Sequence, residues 1–386
     1  MEERTRAYLR GRFGDHYRRV EITPPPDANE REWGYIPWTS SPGTTMVRHK
    51  SLLDLGALED FLERERPRHV YFSAGRYESP SASSMSEKNW RSSDLIFDLD
   101  ADHLPSVTLG EDSYAQMLEK CKDALMRLLD FLERDFGFED MTIAFSGGRG
   151  YHVHVRDDGI QGLDRESRRE IVDYVRGIGL DTDTLQQTEM RGNVTARVIP
   201  TDGGWGRRVH QRLLEFVADL EDLDDEEAID RLQELEGIGE GRANTIYGAI
   251  RENRAAIEAG NLEAGGVGIR TLVKTLVHET VADENAPIDE PVTTDTNRLI
   301  RLPGTLHGGS GLMVRRLERD ELAAFDPLVD AVPETFEGHE IAVEVEDGGE
   351  VELGGDSFTL EEGEQVVPEY LGVFLMTRGR AEKGPE

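Results

Sequence analysis

Apolar residues recur at every second position in some stretches of the chain and at every third or fourth in others. The two periods divide it into strands and helices. HVYFSAGRY (69–77) and DLIFDLD (94–100), rich in β-branched and aromatic residues, are predicted strands. TIAFSGGRGYHVHV (142–155) reads as strand, glycine-rich turn, strand. The clearest helix covers about 112–135, where Tyr114, Met117, Leu118, Cys121, Leu125, Leu128, Leu129 and Leu132 recur at helical steps. Another is expected from Ser51, whose S-x-x-D start has capping character, through LLDLGALEDFLERE. From about 162 to 285 strand character fades and charge-rich helical segments take over, among them RRVHQRLLEFVADLEDL and VGIRTLVKTLVHETVA. Within them LEGIGEGRA reads as a helix stop followed by a turn. Strand character returns at NRLIRLP, GLMVRR, EIAVEVE and EVELGGDSFTL. The expected fold is therefore α/β (α+β): a mixed-sheet core over 1–160 and 286–386, interrupted by a helical subdomain at 161–285.

No run of 18 or more apolar residues occurs, and MEERTRAYLR carries no apolar signal core. The expectation is a soluble cytoplasmic protein with no membrane partner. The single cysteine, Cys121, excludes an internal disulfide and a Cys-rich zinc site, and its place on the apolar stripe makes it a core residue. Acids outnumber bases 78 to 44, for a formal charge of −34, and only six of the bases are lysine. An acid-rich surface stays hydrated in concentrated salt, which suggests a salt-rich cytoplasm. Such a balance looks hostile to nucleic acid, whose phosphates attract basic patches. At about 1 M salt, however, the Debye length is only ~3 Å, so distant repulsion vanishes and local arginines decide binding.

Three segments carry candidate chemistry. In LIFDLDAD, strand alternation puts Leu95, Phe97 and Leu99 on one face and Asp98 and Asp100 on the other. Paired carboxylates repel unless protonated or bridged by cations, and hard divalent ions take oxygen ligands of this kind. An exposed acidic strand edge is the plain alternative. Asp102 shares the parity but lies past the strand end, as a turn residue. In SGGRGYHVHV (146–155), three glycines let backbone amides approach phosphate oxygens, Arg149 offers a planar fork, and His152 and His154 share a face. A glycine-turned hairpin is the alternative here, and zinc is not expected, because no third soft ligand is nearby. IDEPVTTDTNRLIRLPGTLHGGSG (288–311) joins an acid, an arginine-bearing strand and a Gly-flanked histidine, groups suited to a triphosphate tail.

FDLD, SGGRGYHVHV and DEPVTTDTNRLIRLPGTLHGGSG, in that order, resemble the catalytic subunits of the archaeo-eukaryotic primase family over most of the chain, least across 160–285 and after 330. The resemblance implies template-dependent nucleotidyl transfer that starts strands for DNA replication. It implies Mg²⁺ or Mn²⁺ as cofactor, nucleoside triphosphates and a single-stranded DNA template as partners, and a heterodimer with a primase large subunit. Asp98 and Asp100 match the family's metal pair. Asp289, 18 residues ahead of His307, matches the third carboxylate, with Asp295 the runner-up. Ser146, Arg149, His152, Arg301 and His307 match nucleotide-binding positions. REWGY (31–35) makes Glu32 a lesser active-site candidate, and MVRHKSL suggests Arg48 near template or nucleotide. Two departures stand out. The Cys-rich zinc knuckle of many relatives is missing, so no zinc is carried over. Gly309 occupies the place of a phosphate-binding lysine; either Arg315 or Arg316 compensates, or triphosphate affinity is lower. A primase-like repair polymerase and a non-catalytic scaffold subunit are the alternatives; no ligase or nuclease motif supports the first, and the retained acids oppose the second.

Overall fold

The computed structural model describes residues 1–39, 45–191, 194–263 and 266–385. The chain forms two compact units. The first comprises 1–123, 139–169 and 287–386, and the second comprises 124–138 and 170–286.

The first unit begins with a helix, Glu3–Tyr17, and then carries β1 (Arg31–Ile36), β2 (Val47–Lys50), β3 (His69–Tyr77), β4 (Trp90–Ser93), β5 (Leu95–Asp100), β6 (Met141–Phe145) and β7 (Gly150–Val155). β8 (Gln187–Arg191) and β9 (Val194–Val198) lie in the second unit. Back in the first, β10 (Leu299–Arg301) and β11 (Arg315–Leu317) precede β12 (Glu340–Val345), β13 (Gly349–Leu353), β14 (Asp356–Leu360), β15 (Gly363–Pro368) and β16 (Ala381–Lys383). One antiparallel sheet has the order β10-β3-β1-β2 with β4 on β3; another runs β11-β6-β7-β5. β13–β14 is a separate hairpin, and β15-β12-β16 a small third sheet.

The mixed α/β class expected from the two periodicities is what forms. Two expected elements change. The helix begun at Ser51, whose side chain does make a capping box with Asp54, stops at Gly56 and restarts as Leu58–Glu65. Gly56 takes a φ of +82°, which a continuing helix does not allow. The long helix is α-helical over Tyr114–Asp130 and closes with a π turn, Phe131–Asp135. In the second unit, helices Gly204–Glu221, Asp225–Gln233, Glu240–Glu258 and Gly266–Glu284 bury Leu213, Leu220, Ile246, Leu272 and Leu276. The β8–β9 hairpin is a strand pair that the fading pattern across 162–285 did not announce. Among the described residues, no helix is long and apolar enough to cross a membrane.

Ile300 on β10 packs with Ala74 on β3, Ile96 on β5 and Val292, so apolar contact joins the two main sheets. Beside it lies Asp94, fully buried, with Arg31 at 3.0 Å and Arg156 at 3.2 Å. Arg168 adds two bonds of 2.9 Å to the carbonyls of Ser93 and Asp94. Burial raises the Asp94 carboxyl, but His154 and the arginines outweigh it and hold it far below the usual carboxylate range. Cys121 is fully buried and its thiol is pushed strongly upward by that burial, which fits a core residue.

Candidate nucleotide and metal site

The alternation read in LIFDLD holds. Leu95, Phe97 and Leu99 are buried, while Asp98 and Asp100 are partly open. β5 and β7 pair antiparallel with Asp98 opposite His152 and Asp100 opposite Gly150. Cross-strand partners share a face, so the acidic strand and the glycine-loop strand present their polar groups together. His152 Nε2 stands 3.3 Å from Asp98 Oδ1. Burial raises Asp98, but His152, Arg298 and Arg301 together pull its carboxyl below the usual value, so it is ionised near neutrality. Asp100 accepts from the Asp102 amide at 3.2 Å as the cap of the short helix Ala101–His103.

Asp289 stands at the N-cap position of the helix Glu290–Thr294 without a side-chain cap bond, and its backbone N–H donates to the Asp98 carbonyl at 2.9 Å. A residue 191 positions along the chain is thus bonded directly to the acidic strand. Asp295, at the other end of that helix, accepts from the Asn297 amide at 2.9 Å, the turn bond expected of it. Its position also lines a cavity of about 580 Å³ with Asp98, His152, Arg48, His49, Arg298 and Arg301. The donors are the hard oxygens that Mg²⁺ and Mn²⁺ take, and they fit such ions in kind. Among the described residues, no three Asp, Glu, His or Cys side chains form a ready-made cage. Asp98 and Asp100 are each engaged by a protein donor.

The glycine turn differs from expectation in one respect. The Ser146 hydroxyl oxygen accepts from the amides of Gly148 and Gly150 at 3.2 and 3.3 Å. Those two amides are spent inside the turn rather than directed at a ligand. Gly147 has a φ of +74°, and a Cβ there would lie 2.7 Å from the Cβ of His307, so only glycine lets the two loops meet. The Tyr114 hydroxyl donates to the Gly148 carbonyl at 2.6 Å. Arg149 is ion-paired with Asp102, which gives the turn acid a role that its position alone did not reveal.

On β10, Leu299 pairs with Ser73 and Arg301 with Tyr71; the Arg301 guanidinium lies 5.7 Å over the Tyr71 ring. The His307 ring meets the His69 ring edge-on at 4.9 Å, and its Nδ1 lies 3.1 Å from the Ser310 hydroxyl, which itself donates to the Gly147 carbonyl. Burial first, then Arg301, His69, Arg68 and Arg149, hold His307 well below its ordinary pKa. Arg315 and Arg316 do not fill the place left by Gly309. Arg315 bonds the Asp330 carbonyl and lies 6.0 Å over Phe325, and Arg316 bonds Thr142 at 3.3 Å. Both line a different cavity, of about 240 Å³, with His154 and Arg156.

Glu32 is fully buried on β1 and bound by Lys88, itself fully buried, by Arg48 Nε at 3.2 Å and by the His49 amide at 3.0 Å. Burial raises its carboxyl, and Lys88, Arg48 and the His49 amide more than reverse that. Glu32 therefore anchors the two β2 side chains that line the cavity beside Asp98. Lys88, one of six lysines, carried no local pattern that marked it. Removing one member of a buried pair strands the other charge, at a cost of about 3–5 kcal/mol. Glu32→Gln is expected to lower the melting midpoint by about 10 °C in thermal unfolding; an unchanged midpoint would show that the pair is not a structural tie.

His16, His69 and His154 are buried and depressed, first by burial, His154 to about 4. In the unfolded chain each takes up a proton near pH 6.5, and in the native state it does not. The unfolded state then binds more protons, so stability falls as pH drops below about 6.5, by up to about 1.4 kcal/mol per pH unit for each group. Calorimetry at constant salt should show the melting midpoint falling between pH 6.5 and 4.5. A flat midpoint across that window would contradict neutral burial of these rings.

A family model described as DNA primase small subunit matches residues 97–319. The DNA primase small subunit PriS of Haloarcula marismortui is 67% identical over the full length of both chains. The chain belongs to the DNA primase small-subunit family. The proteins of the same name from Halobacterium salinarum and Methanothrix thermoacetophila are 62% and 42% identical, again across the whole of each chain. The match spans all three segments singled out by their chemistry, from Asp98 to the loop after His307. Primer synthesis by nucleotidyl transfer is this family's activity.

Proposed function

We propose that Asp98, Asp100 and Asp289 are the metal-binding carboxylates of this primase, and that Ser146, Arg149, His152, Arg301 and His307 hold the incoming nucleotide. The observation that carries the reading is the junction at Asp98: His152 faces it across the sheet, and the backbone of Asp289 is bonded to it. Three segments far apart in sequence thus meet at one strand.

Mg²⁺ or Mn²⁺ ions, when bound, supply the charge that favours an ionised 3′-hydroxyl and a departing pyrophosphate. The chain's own groups position the rest. Asp98 is kept ionised by His152, Arg298 and Arg301 and is therefore available as an acceptor at neutral pH. Arg301 and Arg149 offer charged donors to the triphosphate, and the neutral His307 ring offers a hydrogen-bonding nitrogen. The 3′-oxygen forms a bond to the α-phosphorus as the bond to pyrophosphate breaks, and the hydroxyl proton is lost to solvent. Arg48, anchored by Glu32, borders the same cavity, where it meets template or nucleotide.

This reading takes single-stranded DNA as template, nucleoside triphosphates as substrates and a large primase subunit as partner. It needs no zinc, and it takes the cytoplasm as the protein's compartment. It also takes residues 161–285 as a helical insertion between the catalytic segments 1–160 and 286–386. The return of the chain to the first unit at residue 287 supports that plan, with 124–138 joining the second unit as well. The test is extension on a single-stranded template with nucleoside triphosphates and Mn²⁺ or Mg²⁺, resolved on a denaturing gel. Short metal-dependent products are expected, and their absence both alone and with the large subunit would overturn the assignment.

A further inference from the structure

The cationic rim around His307 contains a group that neither the motifs nor the family pattern marked. Arg68 sits just before β3, its backbone N–H bonded to the Ile36 carbonyl at 2.8 Å. Its Nε donates to the Gly308 carbonyl at 3.0 Å, and its guanidinium lies 5.4 Å over the Trp38 ring. A Cβ on Gly308 would fall 2.1 Å from Arg68 Cγ, so the residue after His307 must be glycine for this approach. Gly308 in turn donates its own N–H to His69 Nδ1 at 3.4 Å. Backbone, ring and loop therefore hold Arg68 in one place beside His307.

Among the described residues, no acid pairs with Arg68. Arg31, Arg48, Arg76 and Arg149 in this unit each reach a carboxylate. Beyond its Nε bond, the Arg68 side chain has no hydrogen bond or ion pair among the described residues. In a chain with 78 acids and 44 bases, an arginine fixed without a counter-charge beside a second cation is unfavourable on its own. Arg301, Arg68 and Arg149, from three separate segments, all act on the His307 ring. Convergent guanidiniums become favourable once a multivalent anion lies between them, and a planar fork matches phosphate oxygens.

We propose that Arg68 binds the triphosphate tail of the incoming nucleotide, supplying at this rim the cation that Gly309 does not. The proposal rests on the reading of His307 and Arg301 as triphosphate contacts. In concentrated salt only groups in direct contact with the phosphates contribute, since charge is screened within ~3 Å at about 1 M. An arginine fixed against the loop that carries His307 can meet that condition by direct contact, and a remote one does not.

The test uses the full chain and inorganic tripolyphosphate with Mg²⁺ as the probe, titrated calorimetrically beside a nucleoside triphosphate. Arg68→Ala is expected to weaken both about 10-fold, the loss of one charge-assisted contact. Arg68→Lys should recover part of the loss. Arg68→Gln keeps a donor for the Gly308 carbonyl and drops the charge, and it should lose as much as alanine, which separates charge from loop support. Arg68→Gln binding tripolyphosphate as tightly as the unaltered chain would overturn the proposal. His307→Ala run in parallel distinguishes the two levels: if it weakens the probe while Arg68→Gln does not, Arg68 alone is misassigned. If neither does, the triphosphate reading of the whole rim falls.

Discussion

Asp98→Ala or Asp100→Ala is expected to reduce nucleotide incorporation by about 10³-fold or more, the order lost when a pre-set electrostatic contact to the reacting phosphates is removed. The two carboxylates are partly open on β5, while Leu95, Ile96, Phe97 and Leu99 are buried and carry the packing. The substitution therefore removes ligands and leaves the core. Asp98→Ala does leave His152 without its acceptor, and Asp100→Ala removes the cap of Ala101–His103, each worth about 1–2 kcal/mol. Relief of repulsion between neighbouring carboxylates offsets part of that cost. The melting midpoint should stay within about 5 °C of the unaltered chain. Extension assayed in saturating Mn²⁺ and nucleotide, beside a thermal melt, decides the matter. Near-normal extension at an unchanged midpoint would remove both residues from the metal site.

Asp289→Asn should eliminate polymerisation, and Asp295→Asn should reduce it only a few-fold. Both acids flank the helix Glu290–Thr294, and both lie near the acidic strand. The backbone bond from Asp289 to the Asp98 carbonyl anchors its Cα against β5, and its carboxylate makes no cap bond that would divert it. Asp295 is tied by its own turn, through Oδ1, to the Asn297 amide. It nevertheless lines the same cavity as Asp98, which makes it a real competitor. A third carboxylate offsets the charge of two divalent ions beside a triphosphate, so its loss is felt in the chemical step. Asparagine retains shape and one acceptor oxygen but not charge, so paired rates measured at saturating metal isolate the charge. An inactive Asp295→Asn with an active Asp289→Asn would reverse the assignment.

Much of the acidic strand β5 was legible before any tertiary information. A period of two over six residues sets which side chains share a face, whatever the strand pairs with, and so Asp98 and Asp100 were on the polar side from the outset. The helix around Cys121 was equally plain, because eight apolar residues at helical steps leave one stripe to bury. Ser51 and Asp54 found each other because a capping box lies within four residues. Where an element depended on a single backbone angle, as at Gly56, or on a polar hairpin with little apolar alternation, as in 187–198, the local pattern was silent.

The amino-acid order by itself determined the faces of β5 and β7, the glycine turn between β6 and β7, the core place of Cys121 and the family to which the motifs point. These follow from period, chirality and steric allowance within a few residues. Only the tertiary structure decided that Asp98 faces His152, that Asp289 bonds the strand of Asp98, that Lys88 closes on Glu32 across 56 positions, and that Arg68 stands beside His307 while Arg315 and Arg316 turn elsewhere. Pairings between distant segments are selected by the burial and charge balance of the whole unit. A lysine buried against a glutamate, and an arginine with no acid beside it among the described residues, look in sequence like any other surface charge.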